Sequence, residues 1–180
     1  MVYFEKFCRN CPNEAHCCKF DHSKGFTFLT LADANKIKGE TGKEFGEFLD
    51  FSPLDSLTVK RLNESDPSLE GALRFSQLDS KNRILRLKKQ ANGNCIFLTK
   101  NAKCGIYKSR PNICRIYPFW AVRLLDGKLK VIEHDVNPSC PIILSLDKKA
   151  GMENSLPTAQ IKSIKKTFED IEKERATPCP

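Results

Sequence analysis

Four cysteines, Cys8, Cys11, Cys17 and Cys18, fall within eleven residues as Cys-x2-Cys-x5-Cys-Cys, and no other feature constrains this chain as strongly. Thiolate is a soft ligand suited to zinc, cuprous copper or iron–sulfur clusters, so four sulfurs this close in sequence predict a metal centre that organises the N-terminus.

A chain of 180 residues is long enough for one ordinary domain with a real core, so metal would supplement packing rather than replace it. Nine cysteines would suggest disulfides in a secreted protein, but the odd count argues against full pairing. The opening Met-Val-Tyr-Phe-Glu-Lys-Phe has no basic n-region, apolar h-region or small-residue cleavage site. No apolar stretch approaches the length of a bilayer span. The expectation is a cytoplasmic protein with no membrane partner, in a reducing compartment where clustered cysteines serve as ligands or reactive thiols. Four thiolates on one zinc, or on one cluster core of charge +2, make a site of net −2, which lowers the formal net charge of +8 to +6. A pI near 9.0 leaves a protein partner, or more weakly nucleic acid, as the partner classes.

The pattern along the chain predicts an α+β fold: a small antiparallel sheet with short helices and loops around a cysteine-ligated metal centre. A docked C-terminal amphipathic helix completes it. Gly25–Leu29 reads as a short strand. Thr30 with Asp33 three residues on reads as the capped start of a helix to Lys38, with Gly39 or Gly42 near its end. A second short helix is predicted over Glu44–Leu49, stopped by Ser52-Pro53, and a surface excursion over Leu54–Glu70. Leu73–Ser76, Ile84–Leu87 and Asn94–Leu98 read as strands, the last after an Asn92-Gly93 turn. Phe119–Leu125 and Lys128–His134 flank Asp126-Gly127, which predicts a type I′ hairpin adding two strands to the sheet. In Pro157–Arg175, Ile161, Ile164, Phe168 and Ile171 share one helical face, while lysines lead and acids trail against the macrodipole. That helix is expected to be held by its apolar stripe. Residues 1–150 are read as the cysteine-cluster domain, with the helix and tail of 151–180 packed on it.

Cys95, Cys104, Cys114 and Cys140 lie in turn-rich contexts, where several backbone amides can face a ligated sulfur. With the N-terminal run, the blocks Cys95-Ile-Phe-Leu98 and Cys104-Gly-Ile-Tyr-Lys-Ser-Arg-Pro-Asn-Ile-Cys114-Arg-Ile-Tyr-Pro-Phe119 resemble the YkgJ-like cysteine-cluster family, from about Cys8 to Cys140. The resemblance implies a zinc- or iron-chelating domain with a CxxCxxCC signature, one branch of which, the flagellin lysine methylases, is similar over the cysteine module. Here five residues rather than about two separate Cys11 from Cys17. The ligand candidates are Cys8, Cys11, Cys17, Cys18, Cys95, Cys104, Cys114 and Cys140; Cys179, in the closing Thr-Pro-Cys-Pro, reads as an uninvolved thiol.

Spacing bears on the metal. Side chains of adjacent residues diverge, so Cys17 and Cys18 fit two irons of one cluster, or two separate sites, more easily than one tetrahedral ion. Zinc sites favour Cys-x2–4-Cys pairs, and only Cys8/Cys11 qualifies. Cys11-Pro12 and Cys140-Pro141 are similar to the Cys-Pro that ends the bacterial ferredoxin run. The balance favours an iron–sulfur cluster, 4Fe-4S in type, over zinc. Any one of the central cysteines also suits a buried small apolar residue.

Pro111 is placed to start a short helix carrying Cys114 and Arg115, whose N-terminal amides would favour an anionic centre. Arg110 and Arg115 are candidates to pair with cluster charge or a substrate, or equally to form ordinary surface ion pairs. His16 can replace a thiolate or support one; His22 and His134 stay off the ligand set. Tyr107, Tyr117, Phe119 and Trp120 read as packing around the centre. The chain has no dinucleotide fingerprint, phosphate loop, nucleophile elbow or His-Glu-x-x-His motif, and no catalytic residue is assigned. Three readings follow: an iron–sulfur protein with a redox or accessory role; a structural zinc domain that binds protein or nucleic acid through the Lys81–Lys89 and Lys162–Lys166 runs; and a protein lysine N-methylase-like enzyme, weakened by the missing cofactor loop.

Overall fold

The structure, a computed structural model, describes residues 5–8, 11, 16–19, 27–53, 60, 78–81, 83–133, 140–146 and 151–176. The surface excursion over Leu54–Glu70 apart from residue 60, the Leu73–Ser76 strand, His22, His134 and Cys179 lie outside the described residues. Within them the chain is α+β. In order come α1 (Glu5–Cys8), a 3-10 turn (His16–Cys18), α2 (Leu31–Thr41), α3 (Phe45–Phe48), β1 (Leu49–Pro53), β2 (Arg83–Leu87), α4 (Asn112–Ile116), β3 (Phe119–Arg123), β4 (Leu129–Glu133), α5 (Pro141–Leu144), α6 (Met152–Ser155) and α7 (Thr158–Arg175).

Helix α2 starts and stops as its sequence dictates. The Thr30 hydroxyl accepts the Asp33 amide at 3.1 Å and the Asp33 carboxylate accepts the Thr30 amide at 3.4 Å, a reciprocal capping box. Gly42 closes the helix at φ 68°, its amide donating to the Lys38 carbonyl at 2.8 Å. The predicted second helix ends at Phe48. Leu49 is already extended at φ −99° and ψ 147°, so Ser52-Pro53 ends a strand, not a helix. The cause is pairing: β1 lies antiparallel to β2 with Leu49 opposite Leu87 and Asp50 opposite Arg86, and the latter two form an ion pair at 2.5 Å. Of the predicted Gly25–Leu29 strand, residues 27–29 are described; they lie on the other side of β2, where Phe28 makes a bridge to Arg86 and the Leu87 amide donates to the Thr27 carbonyl at 3.0 Å.

Asn94–Leu98 is not a strand. After the Asn92-Gly93 turn, where Gly93 has φ 83°, the chain makes single bridges from Lys89 to Cys95 and from Leu98 to Cys104. Between them the Leu98 amide turns back onto the Cys95 carbonyl at 2.9 Å. The Gln90 side-chain amide fastens this loop by donating to the carbonyls of Cys95 at 3.0 Å and Leu98 at 2.8 Å.

The second hairpin forms its own two-stranded sheet rather than extending the first. Its turn is also not type I′: Gly127 has φ 81°, but Asp126 is not among the residues with positive φ. The Gly127 amide donates to the Leu124 carbonyl at 2.9 Å and the Leu124 amide to the Lys128 carbonyl at 2.8 Å, the three-residue loop with a glycine bulge. Helix α7 docks on β3, β4, α4 and α2 through Ile164, Phe168 and Ile171, all buried, with Ile161 half-buried. Trp120 meets Phe168 edge-on, centroids 5.3 Å apart. Each of these buried side chains contributes about 2 kcal/mol by removal from water.

Two apolar cores result. One gathers β3, β4, α7, Ile116 of α4, Ile142 and Ile143 of α5, Ile84 of β2 and Phe28; the other gathers α2, Phe48, Leu49 of β1, Leu85 and Leu87 of β2 and the Cys95–Ile106 loops.

Candidate metal centre

Five of the cysteines are divided between these two cores. Cys8 and Cys140 pack against the first core; Cys18, Cys95 and Cys104 belong to the second or pack against it. Cys8 ends α1, Cys17 and Cys18 occupy the 3-10 turn, Cys114 lies inside α4, and Cys140 is the residue before α5. The Cys95 amide donates to the Cys18 carbonyl at 2.8 Å, which ties the N-terminal run to the central block. Gly105 lets the next turn close on it: its amide donates to the Phe97 carbonyl at 2.8 Å, and a Cβ there would meet that oxygen at 3.2 Å. All eight candidate cysteines are unpaired thiols.

Backbone amides are aimed at the sulfurs. Those of Phe97 and Leu98 face Cys95, that of Ile106 faces Cys104, and those of Ile143 and Ile142 face Cys140. Such N–H groups favour the thiolate, while burial opposes it. Burial pushes the Cys8 and Cys95 thiols up to about 11, and raises Cys104, Cys114 and Cys140 as well. The Cys18 thiol donates to Cys17, which holds Cys17 below its ordinary value and Cys18 far above its own.

The thiols also feel one another. Cys114 is raised further by Cys95, Cys17 and Cys104, and Cys140 by Cys17 and Cys11, so all eight share one electrostatic neighbourhood. Gathering thiolates in this way is unfavourable unless a cation offsets them.

Arg110 supplies one fixed positive charge. Its guanidinium hydrogen-bonds Cys8 and lowers it, and its charge acts also on Cys17, Cys104 and Cys114. The group lies 3.8 Å over the Tyr107 ring. Its Nε and the neighbouring Ser109 hydroxyl are buried with no hydrogen-bond partner among the described residues. Arg115, by contrast, is exposed. His16 precedes Cys17 in the 3-10 turn; its side chain lies outside the described residues.

Helix α4 does begin beside Pro111, but its first amide does not face a sulfur. The Asn112 amide donates to both Asp33 carboxylate oxygens at 3.2 Å, and Glu174 of α7 accepts from the Thr30 hydroxyl at 2.6 Å. Asp33 therefore both caps α2 and anchors the helix that carries Cys114. The sequence carries no signal for the second role, because Asn112 is 79 positions away. The contributions of Gln90 and Gly105 are likewise hard to see in the chain: only the Asn-Gly-Asn-Cys and Lys-Cys-Gly contexts hint at tight turns there.

All-sulfur donors, aimed amides and a counter-charge fit zinc or an iron–sulfur core in chemistry. In position, among the described residues no group of three or more His, Cys, Asp or Glu side chains is gathered so as to hold an ion. No helix among the described residues is long and apolar enough to cross a membrane.

Comparison with known proteins agrees with this chemistry. A stretch of 42 residues is 52% identical to an uncharacterized protein of Methanocaldococcus jannaschii, covering 23% of this chain and 22% of that protein. The match thus spans less than a quarter of that relative's length. No solved structure matches. The CxxCxxCC family, described as "Putative zinc- or iron-chelating domain", matches residues 7–141, and the chain belongs to that family.

Proposed function

We propose that this is a cytoplasmic iron–sulfur protein whose cysteine thiolates hold a 4Fe-4S cluster in a redox or accessory role for a protein partner. The observation that supports the reading is the donor chemistry: eight unpaired thiols from separate segments of the chain, with backbone amides turned toward Cys95 and Cys140 and the Arg110 guanidinium toward Cys8. A bound cluster would supply one-electron transfer. The chain's own part is to present the sulfurs, offset their negative charge through Arg110 and aimed amides, and exclude water with Ile106, Ile142 and Ile143. Cys8, Cys11, Cys17, Cys18, Cys95, Cys104, Cys114 and Cys140 are the proposed ligands.

Zinc is the second reading, favoured by the Cys8-x2-Cys11 spacing. A nucleic-acid surface draws less support, because parts of the basic runs are matched by acids: Arg86 with Asp50 at 2.5 Å, Arg83 with Asp79 at 2.5 Å and Lys165 with Glu153 at 2.9 Å. Anaerobic purification is expected to yield brown protein containing iron and acid-labile sulfide. Colourless protein with stoichiometric zinc from the same preparation would replace the iron–sulfur reading with the zinc one.

A further inference from the structure

Positive charge is unevenly placed along this chain. Between Asp79 and Asp126 there are eleven lysines and arginines and no aspartate or glutamate, while the rest of the sequence holds 19 basic and 22 acidic residues. The formal net charge of +8 therefore arises wholly from this stretch. Part of it is neutralised by the fold: Arg83 pairs with Asp79 and Arg86 with Asp50, both at 2.5 Å, and Arg123 pairs with Glu172 of α7. Lys100, Lys103 and Lys108 are different. All three are exposed, and none has an ion-pair partner among the described residues. Glu40 of α2 is close enough to act on Cys104, yet it pairs with none of them.

Two consecutive turns gather these lysines. Leu98 bridges to Cys104, the Thr99 amide donates to the Lys103 carbonyl at 2.9 Å and the Ala102 amide to the Thr99 carbonyl at 3.0 Å, so Lys100 and Lys103 belong to one closed turn. The next turn is seated on the first by the 2.8 Å hydrogen bond from the Gly105 amide to the Phe97 carbonyl, and it carries Lys108. The apolar side chains of the turns are taken inside: Phe97, Leu98 and Ile106 are buried, and Tyr107 is half-buried with the Arg110 guanidinium over its ring. What remains outside is cationic, and it borders the half-buried Cys104.

From this placement we propose that the turns of residues 99–108 are the docking face for a protein partner that presents a carboxylate-rich surface. The proposal locates the protein partner of the iron–sulfur reading and rests on that reading for its purpose: Lys103 is the chain neighbour of Cys104, so a partner held here sits at the edge of the centre. Exposed like charges repel one another, and an acidic partner converts that repulsion into attraction and steers the encounter. Nucleic acid fits the face less well. All three cations are lysines, point charges rather than the planar fork that matches phosphate, and no aromatic ring of the turns is exposed to stack on a base.

The test measures binding of the whole chain, purified anaerobically with its metal content determined, to a flavodoxin, a small acidic redox protein, at low and physiological salt. Affinity is expected to fall as salt rises. Lys100→Gln/Lys103→Gln/Lys108→Gln is expected to weaken binding at low salt by about 10-fold, the combined effect of three exposed ion pairs. Lys128→Gln/Lys130→Gln/Lys162→Gln removes the same charge from exposed sites elsewhere and is expected to weaken it by less than about 3-fold. Carbodiimide, which joins an amine to a carboxylate in contact with it, gives a second measurement on the unmodified chain, with cross-links expected at Lys100, Lys103 or Lys108. Equal losses in the two variants, no binding at low salt, or cross-links confined to other lysines overturns the docking face. So does tighter binding of a duplex DNA oligonucleotide than of flavodoxin at physiological salt, lost in the same Lys100, Lys103 and Lys108 variant, which assigns the turns to nucleic acid. None of the three lysines is a proposed ligand, so metal content is expected to be equal in all variants. A chain that binds flavodoxin through these lysines yet holds neither zinc nor iron with sulfide overturns the metal-binding reading and leaves the face standing, so the two failures are distinguishable.

Discussion

Replacing Asp33 by asparagine should change how stability depends on pH, with a sign set by burial. The Asp33 residue is 1% exposed, and desolvation lifts its pKa from 3.8 to about 6. The amides of Asn112 and Thr30 and the charge of Lys36, 3.8 Å away, oppose that rise, and the negative charge of Glu174 adds to it. Below pH 3.8 the group carries its proton in both the folded and unfolded chain. Between 3.8 and 6 the unfolded chain releases it first, so stability falls as pH rises, and above 6 the loss is complete. A shift of about two pKa units corresponds to about 3 kcal/mol at about 1.36 kcal/mol per unit. The asparagine side chain cannot ionise, yet it keeps an oxygen to accept the Asn112 or Thr30 amide. Urea unfolding of wild type and Asp33→Asn from about pH 4 to 7.5, with identical metal content, measures the difference. Thiol protonation is common to both and cancels. The variant is expected to gain about 3 kcal/mol on the wild type between about pH 4 and pH 7. A difference that stays constant across that window, or moves the other way, refutes the reasoning, as would a carboxyl carbon titration of Asp33 with a midpoint near its ordinary value.

Arg110→Gln should lower zinc or iron affinity in chelator competition by about 10–100-fold, with Arg110→Lys restoring part of it; equal affinity for the Gln variant would remove Arg110 from the centre. Phe168→Ala, at a fully buried site against the edge of Trp120, should cost about 3–5 kcal/mol in urea unfolding. Two glycines of the α2 segment should respond with opposite signs in the same assay, because a Cβ meets open space at both and only the backbone differs. Gly39→Ala, inside the helix, should stabilise by about 0.5–1 kcal/mol; Gly42→Ala, at φ 68°, should destabilise by about 1 kcal/mol.

Features carried by neighbouring residues are legible in the chain itself. Thr30 and Asp33 announce α2 because both partners of the capping box lie within one turn. Pro111 announces α4, and Ile164, Phe168 and Ile171 announce the docked face of α7, for the same local reason. Pattern and structure part where pairing or turn geometry takes over. Leu49 has the look of a helix end, yet β2 claims Leu49–Pro53 as a strand. Asn94–Leu98 has the look of a strand, yet the amides of Phe97 and Leu98 turn toward Cys95. Asp126-Gly127 names a tight turn, but Leu125 joins it to make the longer loop.

For the centre, the sequence alone determined the kind of donor on offer: soft sulfur in blocks whose order and spacing mark a chelating family, since ligand type is a property of side-chain chemistry. It could not determine how those donors group, because Cys18 and Cys95 are brought together by folding and Cys17 and Cys18 are directed by the turn that holds them. Tertiary structure also decided that Arg110 faces the sulfurs while Arg115 faces water, although both lie at the same short helix. The physical reason is common to these cases. Coordination chemistry acts through space, and only folding places groups distant in sequence, such as Cys18 and Cys95 or Arg110 and Cys8, within reach of one another.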